Sequence, residues 1–344
     1  ENGYCVPVIK EGAPTYARKI KETPDEKDSY IITGHKMELC YAQNMFFPRM
    51  YHPDFTEQYR QWVDIKGKDI PFERCGEQIT VNIPTQWENL EFFFRYQLNY
   101  MYWRYFMWNF AGRQNDIRGQ GEIEHGNWIT GIPFIDNLLI GNQTLLPDEL
   151  KTNKGRNVFY CLPLLLGVIG ILFQFYRGRK GEQSCLIVFL LFFMTGIAIV
   201  IYLNQTPAQV RERDYAYAGS FYAFTIWVGM GVAGIARLLQ YKLKKLPAAE
   251  AAFAACLLVP IQMGGQTWDD HDRSARYVCR DMGQNYLQSC SQNNYPILYT
   301  NGDNDTFPLW YNQEVEGCRT DVRVCNLSYL RTDWYIDQMK RPAY

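Results

Sequence analysis

The sequence predicts a multi-pass α-helical membrane protein that carries soluble segments on one face. The first observation is that apolar residues are concentrated between residues 157 and 264, although the chain as a whole is slightly polar. The second is that this region contains long runs almost free of charged residues. The chain has 35 Lys and Arg against 36 Asp and Glu, without a dense basic stripe, so no electrostatic feature supports a nucleic-acid partner.

Four apolar runs predict the transmembrane helices, since about 20 residues are needed to cross the hydrocarbon core. The first three contain no acidic residue, whereas a buried helix of a soluble protein would normally show a polar edge. The fourth is shorter and holds Glu250 and Pro260, so a buried or re-entrant helix is the alternative there. The runs are 158–176, 185–203, 219–239 and 248–263.

The short loops predict the orientation, because cytoplasmic loops are enriched in Lys and Arg. The first and third loops are basic, whereas loop 204–218 balances its basic residues with acids. Three basic residues before the first run favour the opposite orientation, but the two basic loops outweigh them. We therefore expect residues 1–156, 204–218 and 265–344 outside. The basic loop residues are Arg177, Arg179, Lys180, Arg237, Lys242, Lys244 and Lys245.

The soluble part before the first run has two predicted portions. Residues 1–84 are a mixed segment with short strand-like runs and no catalytic motif. Thr85 and Glu88 have the spacing of a capping box that starts a helix. The following helix is dense in aromatic residues yet too polar to span. We place it at the membrane–water boundary, with burial as the alternative. A Gly-rich loop at 112–137 completes the portion 85–156, as an active-site wall or an ordinary connector.

The portion 265–344 predicts an incomplete α/β domain. Two apolar runs, 297–300 and 322–326, are each followed by a helical pattern, which is the βαβα alternation of a parallel sheet. Asp303 and Asp305 follow the first strand, where such sheets bind ligands, although a helix cap would explain them as well. The acidic run 269–272 has poor spacing for a metal ion. We expect it to start a helix and predict no metal site.

Several stretches of the chain resemble one known family. They are FFFRYQLNYMYWRYFMWNFAGRQNDI, NWITGIPFIDN, YLNQTPAQVRERDYAYAGSFYAF, TWDDHDRSARY and NGDNDTFPLWYNQEVEGCRTDVRVCNLSYLRTDWYIDQMK. Together they are similar to the membrane proteins of glycosyltransferase family 117, which is abundant in Bacteroidetes. The resemblance implies a GT-C-type enzyme like the protein O-mannosyltransferases. Such an enzyme, in the bacterial inner membrane with periplasmic soluble parts, moves a sugar from a polyprenyl-phosphate carrier to Ser or Thr of an exported protein.

The chain departs from the family pattern at its amino terminus. Members carry an acidic motif in the first outward loop, which is the expected catalytic base, and this sequence has no counterpart. We expect the chain to be a carboxyl-terminal fragment that begins after that motif. The resemblance then implies no catalytic residue here and no activity of this portion alone.

Transfer from a lipid phosphate would need a cation for the leaving phosphate, because negative charge develops there. Arg211 and Arg213 lie on the outward loop, where a guanidinium can bind phosphate oxygens at two points. Tyr215 would sit beside them at headgroup level. The alternative is that Arg211, Glu212, Arg213 and Asp214 pair locally. Further substrate-binding candidates are Arg113, Asn115, Asp116, Asp303 and Asp305.

The predicted partners are the carrier lipid and the exported acceptor protein, without a cofactor or a nucleic acid. The competing hypothesis is a membrane transporter or envelope scaffold without enzymatic activity. A transporter would more naturally place ionisable groups inside its spans, and these runs are almost free of them.

Overall fold

A computed structural model describes residues 8–23, 25–41, 44–74, 76–242, 247–292 and 294–341, and these are mostly helical. The chain divides into two units, residues 1–267 and residues 268–344. Lys244 and Lys245, which belong to the predicted basic loop before the fourth run, lie outside the described residues.

Two antiparallel hairpins form most of the amino-terminal segment. Strand β1 (Ile9–Arg18) pairs with β2 (Tyr30–Leu39), and β3 (Lys68–Arg74) pairs with β4 (Glu77–Ile83). A short helix, α1 (Thr56–Arg60), lies between the hairpins and buries Tyr59.

A long helix follows the second hairpin. It begins as α2 (Gln86–Phe92), continues as a π-helical stretch (Phe93–Trp103) and ends as α3 (Arg104–Phe110). The predicted capping box is confirmed, since the Thr85 hydroxyl accepts from the Glu88 amide and the Glu88 carboxylate accepts from the Thr85 amide. In the π-helical stretch the backbone bonds reach five residues back, a rare geometry that is often found at functional sites.

A small sheet closes the loop after this helix. Strand β5 (Gly112–Arg113) pairs with β6 (Asn157–Val158), so the end of the aromatic helix meets the chain just before the apolar helices. Gly112 has φ 147°, and a Cβ there would overlap the Asn157 carbonyl oxygen. Two short helices lie within the loop, α4 (Pro133–Ile140) and α5 (Asp148–Lys151).

The apolar runs form five helices. They are α6 (Leu162–Tyr176), α7 (Arg179–Thr195), α8 (Ile197–Leu203), α9 (Ala218–Lys242) and α10 (Ala248–His271). Among the described residues, three helical segments are long and apolar enough to cross a membrane: Arg179–Leu203, Asp214–Lys242 and Ala248–His271. The fourth run, for which the sequence left a buried or re-entrant helix open, is therefore one of the three.

The first run differs from its predicted bounds of 158–176. Val158 belongs to β6, and Tyr160 and Cys161 both have positive φ, so the helix starts only at Leu162. Its 15 residues span about 22 Å, less than the hydrocarbon core of about 30 Å. The sequence pattern missed this because the residues before Leu162 are as apolar as those of the helix.

The aromatic helix is buried in the protein. The prediction that it lies at the membrane–water boundary is wrong. Phe92, Met101 and Tyr105 are at most 2 % exposed. They belong to one core with residues from α7, α8 and α9, and the Tyr102 hydroxyl donates to Ser220 Oγ of α9 at 3.2 Å. The structure therefore confirms the alternative, a buried helix, because the aromatic rings pack against the apolar helices.

Helices α6 and α9 approach each other closely through small residues. A Cβ on Gly231 would overlap the Leu166 carbonyl oxygen, and a Cβ on Gly170 would overlap that of Trp227. The Trp227 indole donates to Gln174 Oε1 at 2.8 Å in the same buried contact. Small residues that let backbones touch are typical of helix packing in membranes.

The second unit contains a parallel strand pair. Strand β7 (Ile297–Thr300) and β8 (Arg323–Asn326) are parallel and joined by α12 (Asp303–Glu314), which is the arrangement that the βα alternation predicts. Helix α11 (Val278–Ser289) precedes the pair, and α13 (Asp333–Met339) follows it. Its core is small and is formed by Leu287, Leu309, Val322 and Val324.

The close contact of α6 and α9 can be tested with one methyl group. We expect Gly231→Ala to destabilise the protein by about 1–3 kcal/mol, because the added carbon forces the two backbones apart. Gly229→Ala is the matched control on the same helix, since its Cβ meets nothing within 4 Å. Thermal unfolding in detergent compares the two, and equal midpoints would show that the helices do not pack in this way.

Candidate functional site

A ladder of stacked side chains runs along the aromatic helix at a spacing of four residues. The rings of Phe92 and Tyr96 stack with centroids 5.1 Å apart, and those of Tyr96 and Tyr100 with centroids 5.9 Å apart. The guanidinium of Arg104 continues the ladder 3.9 Å from the Tyr100 ring centroid and 4.7 Å from that of Trp108. The ladder thus places one arginine in an aromatic environment at the end of the helix.

Arg104 forms a buried ion pair with Glu212 of the loop between α8 and α9. Its Nη2 donates to Glu212 Oε2 at 2.8 Å and its Nη1 to Oε1 at 3.3 Å. The two side chains are 4 % and 20 % exposed. Arg104 also donates to the carbonyls of Tyr100 and Gly126, at 3.0 and 2.7 Å. These bonds use all three guanidinium nitrogens, so Arg104 is a satisfied structural cation.

Tyr105 adds a second link between the helix and this loop. Its hydroxyl donates to Glu212 Oε2 and accepts from the Arg213 backbone amide at 3.1 Å. Burial raises the pKa of Tyr105, and the Glu212 carboxylate adds to the rise although Arg104 opposes it, so the hydroxyl remains protonated and can donate.

The start of the loop is fixed as well. The Gln97 amide donates to Asn204 Oδ1 at 3.0 Å and to the Gln205 carbonyl at 2.9 Å, and the Tyr96 hydroxyl donates to the Thr206 carbonyl at 3.1 Å. The aromatic helix therefore holds the loop at both ends, around residues 204–206 and 212–213.

The predicted phosphate-binding residues lie on this loop. Arg211 is exposed, with its guanidinium carbon 5.8 Å from the Tyr215 ring centroid. Arg213 Nη1 donates to the Tyr215 hydroxyl at 3.2 Å, and its Nε is buried without a hydrogen-bond partner. Within the described part of the chain, neither arginine forms an ion pair. The alternative of local pairing is wrong for Glu212, which pairs with Arg104.

The candidates in the Gly-rich loop have three different roles. The Arg113 guanidinium carbon lies 4.1 Å from the Trp108 ring centroid. Asn115 is fully buried, accepts from the amides of Ile117 and Gly126, and so fixes the loop. Asp116 Oδ1 accepts from the Asn153 amide at 2.9 Å. Of the three, Arg113 is the cation that shares Trp108 with Arg104.

Asp303 and Asp305 lie in the second unit, at the start of α12. The Asp305 carboxylate accepts from the amides of Asn301 and Gly302, both at 3.0 Å, and these bonds lower its pKa. Asp303 Oδ1 accepts from the Tyr329 hydroxyl at 3.2 Å. Asp305 therefore acts as a helix cap, which was the alternative to ligand binding.

The acidic run 269–272 is placed differently from the prediction. Asp269, Asp270 and His271 lie in the last turn of α10, at a helix end and not at a helix start. The apolar run continues into these residues as one helix, which its composition does not indicate. In the ranges that the structure describes, no group of three or more His, Cys, Asp or Glu side chains is arranged to hold a metal ion.

Comparisons with known proteins match two family models and one relative to parts of the chain. Residues 279–344 match the family model of TMEM260-associated domain 2, and residues 2–94 match a family of unknown function, DUF8416. The chain is also similar to a glycerol-3-phosphate acyltransferase from Desulfotalea psychrophila, with 26% identity over 163 residues, 43% of this chain and 77% of the relative. No solved structure matches. Arg104 and Glu212 lie outside both family-model matches.

Arg104, Tyr105 and Glu212 are site residues that the sequence alone does not predict. In the sequence, Arg104 is one of the polar residues that make the aromatic helix too polar to span. The available signal was the spacing of Phe92, Tyr96, Tyr100, Arg104 and Trp108, which places an arginine in register with aromatic residues every fourth position. Its acidic partner, 108 residues further along, has no such signal.

The buried pair should be essential for stability. We expect Arg104→Met to cost about 3–5 kcal/mol, because it leaves the Glu212 carboxylate buried without its cation. Arg95→Met is the control on the same helix, since the Arg95 side chain is 64% exposed in its pair with Glu91 and should contribute below about 1 kcal/mol. The measurement is thermal unfolding in detergent. Equal losses in the two variants would contradict a special role for the Arg104 pair.

Proposed function

We propose that this chain is the carrier-lipid and acceptor-binding part of a membrane glycosyltransferase. The enzyme would transfer a sugar, mannose by the resemblance, from a polyprenyl-phosphate donor to Ser or Thr of exported proteins. It would lie in the bacterial inner membrane with its soluble segments in the periplasm. The observation that carries the proposal is that Glu212 pairs with Arg104. Among the described residues, Arg211 and Arg213 therefore have no carboxylate partner, on a loop between two apolar helices.

The proposed chemistry needs these arginines at the leaving group. The acceptor hydroxyl oxygen attacks the anomeric carbon of the sugar, and the bond from that carbon to the phosphate oxygen breaks. The electron pair stays on the carrier phosphate, where a guanidinium stabilises the charge. The hydroxyl proton passes to a carboxylate base, which the resemblance assigns to a motif upstream of these residues.

The geometry of the loop supports this assignment. The backbone amide of Arg213 is held by Tyr105 and its Nη1 by Tyr215, so the guanidinium is positioned before a ligand arrives. The loop follows α8 and precedes α9, which keeps its side chains near the ends of apolar helices. A site at that level can meet the headgroup of a lipid carrier.

The acyltransferase relative supports the wider class of transferases. Its name gives glycerol 3-phosphate, a phosphate-bearing molecule, and a transferred acyl group. The same arginines would suit that phosphate, so acyl transfer to glycerol 3-phosphate is the second candidate activity.

The arginines can be tested by transfer assays on the full-length protein at several carrier concentrations. We expect Arg213→Ala, and to a smaller degree Arg211→Ala, to weaken carrier use by about ten- to a hundredfold, the effect of losing about 1.5–3 kcal/mol of hydrogen bonding to a charged group. Lys keeps the charge without the two-point geometry, so the Lys variants should recover part of the activity.

Arg60→Ala removes an exposed arginine of α1 and serves as the control. Parental transfer by folded Arg211→Ala and Arg213→Ala proteins across the whole concentration range would refute the role of these arginines. If the parental protein instead acylates glycerol 3-phosphate and transfers no sugar, the acyltransferase candidate replaces the glycosyltransferase.

A further inference from the structure

Two arginines share the indole of Trp108. The guanidinium carbon of Arg104 lies 4.7 Å from the Trp108 ring centroid, and that of Arg113 lies 4.1 Å from it. Stacking on an aromatic face attracts a cation and also fixes the plane of its guanidinium. The same ring therefore positions both groups, and their other contacts distinguish their roles.

The two arginines differ in their hydrogen bonds: Arg104 has partners for all of its nitrogens, and Arg113 has none among the described residues. Arg104 uses all three nitrogens and is paired with Glu212. Arg113 makes no side-chain hydrogen bond and no ion pair with any residue of the described ranges, and its Nε is buried. The Arg113 side chain as a whole is only half-buried, so its Nη1 and Nη2 keep contact with solvent.

The unpaired state of Arg113 is costly for the folded protein. A partly buried cation loses hydration, and burial lowers the pKa of Arg113 for this reason. Contact with Trp108 offsets part of this cost, but it supplies no acceptor for the N–H groups. A cation that is held in this way without an acceptor is suited to an anion from outside the chain.

The backbone at Arg113 is fixed before any ligand binds. Arg113 pairs with Asn157 across β5 and β6 and forms a bridge with Trp128 on its other side. The preceding Gly112 admits no side chain, because a Cβ would overlap the Asn157 carbonyl. Binding therefore orders little backbone, which favours affinity.

Arg113 lies near the loop that carries Arg213, because Arg104 contacts both the Trp108 ring and Glu212 of that loop. The carboxylates of Asp116, Asp214 and Glu212 act on it electrostatically, and the last two flank Arg213 in the chain. A ligand there must compete with these carboxylates, none of which is within ion-pair distance of Arg113. An anion with several charged oxygens, such as a phosphate, can bind the paired N–H groups of a guanidinium at two points.

We propose that Arg113 is a second phosphate-binding residue, which acts with Arg213 on the phosphate of a lipid carrier. The identity of the carrier rests on the proposed function, but the phosphate chemistry rests on the contacts of Arg113. Arg104 is the positioning residue of this site, since it is neutralised by Glu212 and holds the loop.

Binding without sugar transfer tests the proposal. Full-length protein in phosphatidylcholine nanodiscs is titrated with radiolabelled polyprenyl monophosphate. We expect Arg113→Gln to weaken binding by about ten- to a hundredfold, as for lost hydrogen bonds to a charged group. Arg113→Lys should lie between this variant and the parent. Arg95→Gln should bind like the parent, because Arg95 is an exposed arginine whose partner is Glu91.

Two further measurements distinguish a lipid phosphate from free phosphate, and a binding defect from a folding defect. Inorganic phosphate at the carrier concentration should displace little lipid, and complete displacement would refute a lipid-linked ligand. If Arg113→Gln does not fold, the folded Arg113→Lys variant decides, and its parental affinity would refute the role of Arg113. Parental affinity of folded Arg113→Gln refutes it equally. No sugar is present, so failure of sugar transfer leaves this result unaffected.

Discussion

The buried ion pair between Arg104 and Glu212 is the interaction on which the rest of the site depends. It joins the aromatic helix to the loop between α8 and α9, across 108 positions of sequence. Removing two charges from water is expensive, and the pair compensates through two hydrogen bonds to one carboxylate and further bonds from Arg104 to backbone carbonyls. The aromatic rings around Arg104 shield its guanidinium from water, and its side chain is 4% exposed.

The ion pair also determines which other cations remain available. Glu212 lies between Arg211 and Arg213 in the chain and would be available to both in an isolated loop. Because Glu212 pairs with Arg104, the loop arginines have no ion-pair partner among the described residues, and we propose that an external anion takes that place. Arg113, about 100 positions earlier in the chain, also has no ion-pair partner among the described residues. It contacts the ring of Trp108, which Arg104 of the buried pair contacts as well. One satisfied arginine thus organises three that have no carboxylate partner in the described chain.

Local sequence patterns predicted the elements whose cause is local. The capping box of Thr85 and Glu88 fixes the start of the aromatic helix, and the βα alternation matches the parallel pairing of β7 and β8. The predictions failed where a contact with a residue far away in the sequence determines the structure. Burial of the aromatic helix depends on α9, and the late start of α6 depends on the pairing of β6 with β5. The pair of Arg104 and Glu212 could not be predicted, since the two residues lie 108 positions apart and Glu212 has the nearer cations Arg211 and Arg213 on either side of it in the chain.

The central claim concerns four side chains and one phosphate at a single site, so an experimental structure tests it most directly. Cryo-electron microscopy of the full-length protein in lipid nanodiscs with polyprenyl monophosphate would show them together. The account predicts density for the phosphate against the guanidinium groups of Arg113 and Arg213, with Glu212 still bound to Arg104. A map in which Glu212 instead pairs with Arg211 or Arg213, and the phosphate lies away from Arg113, would contradict it.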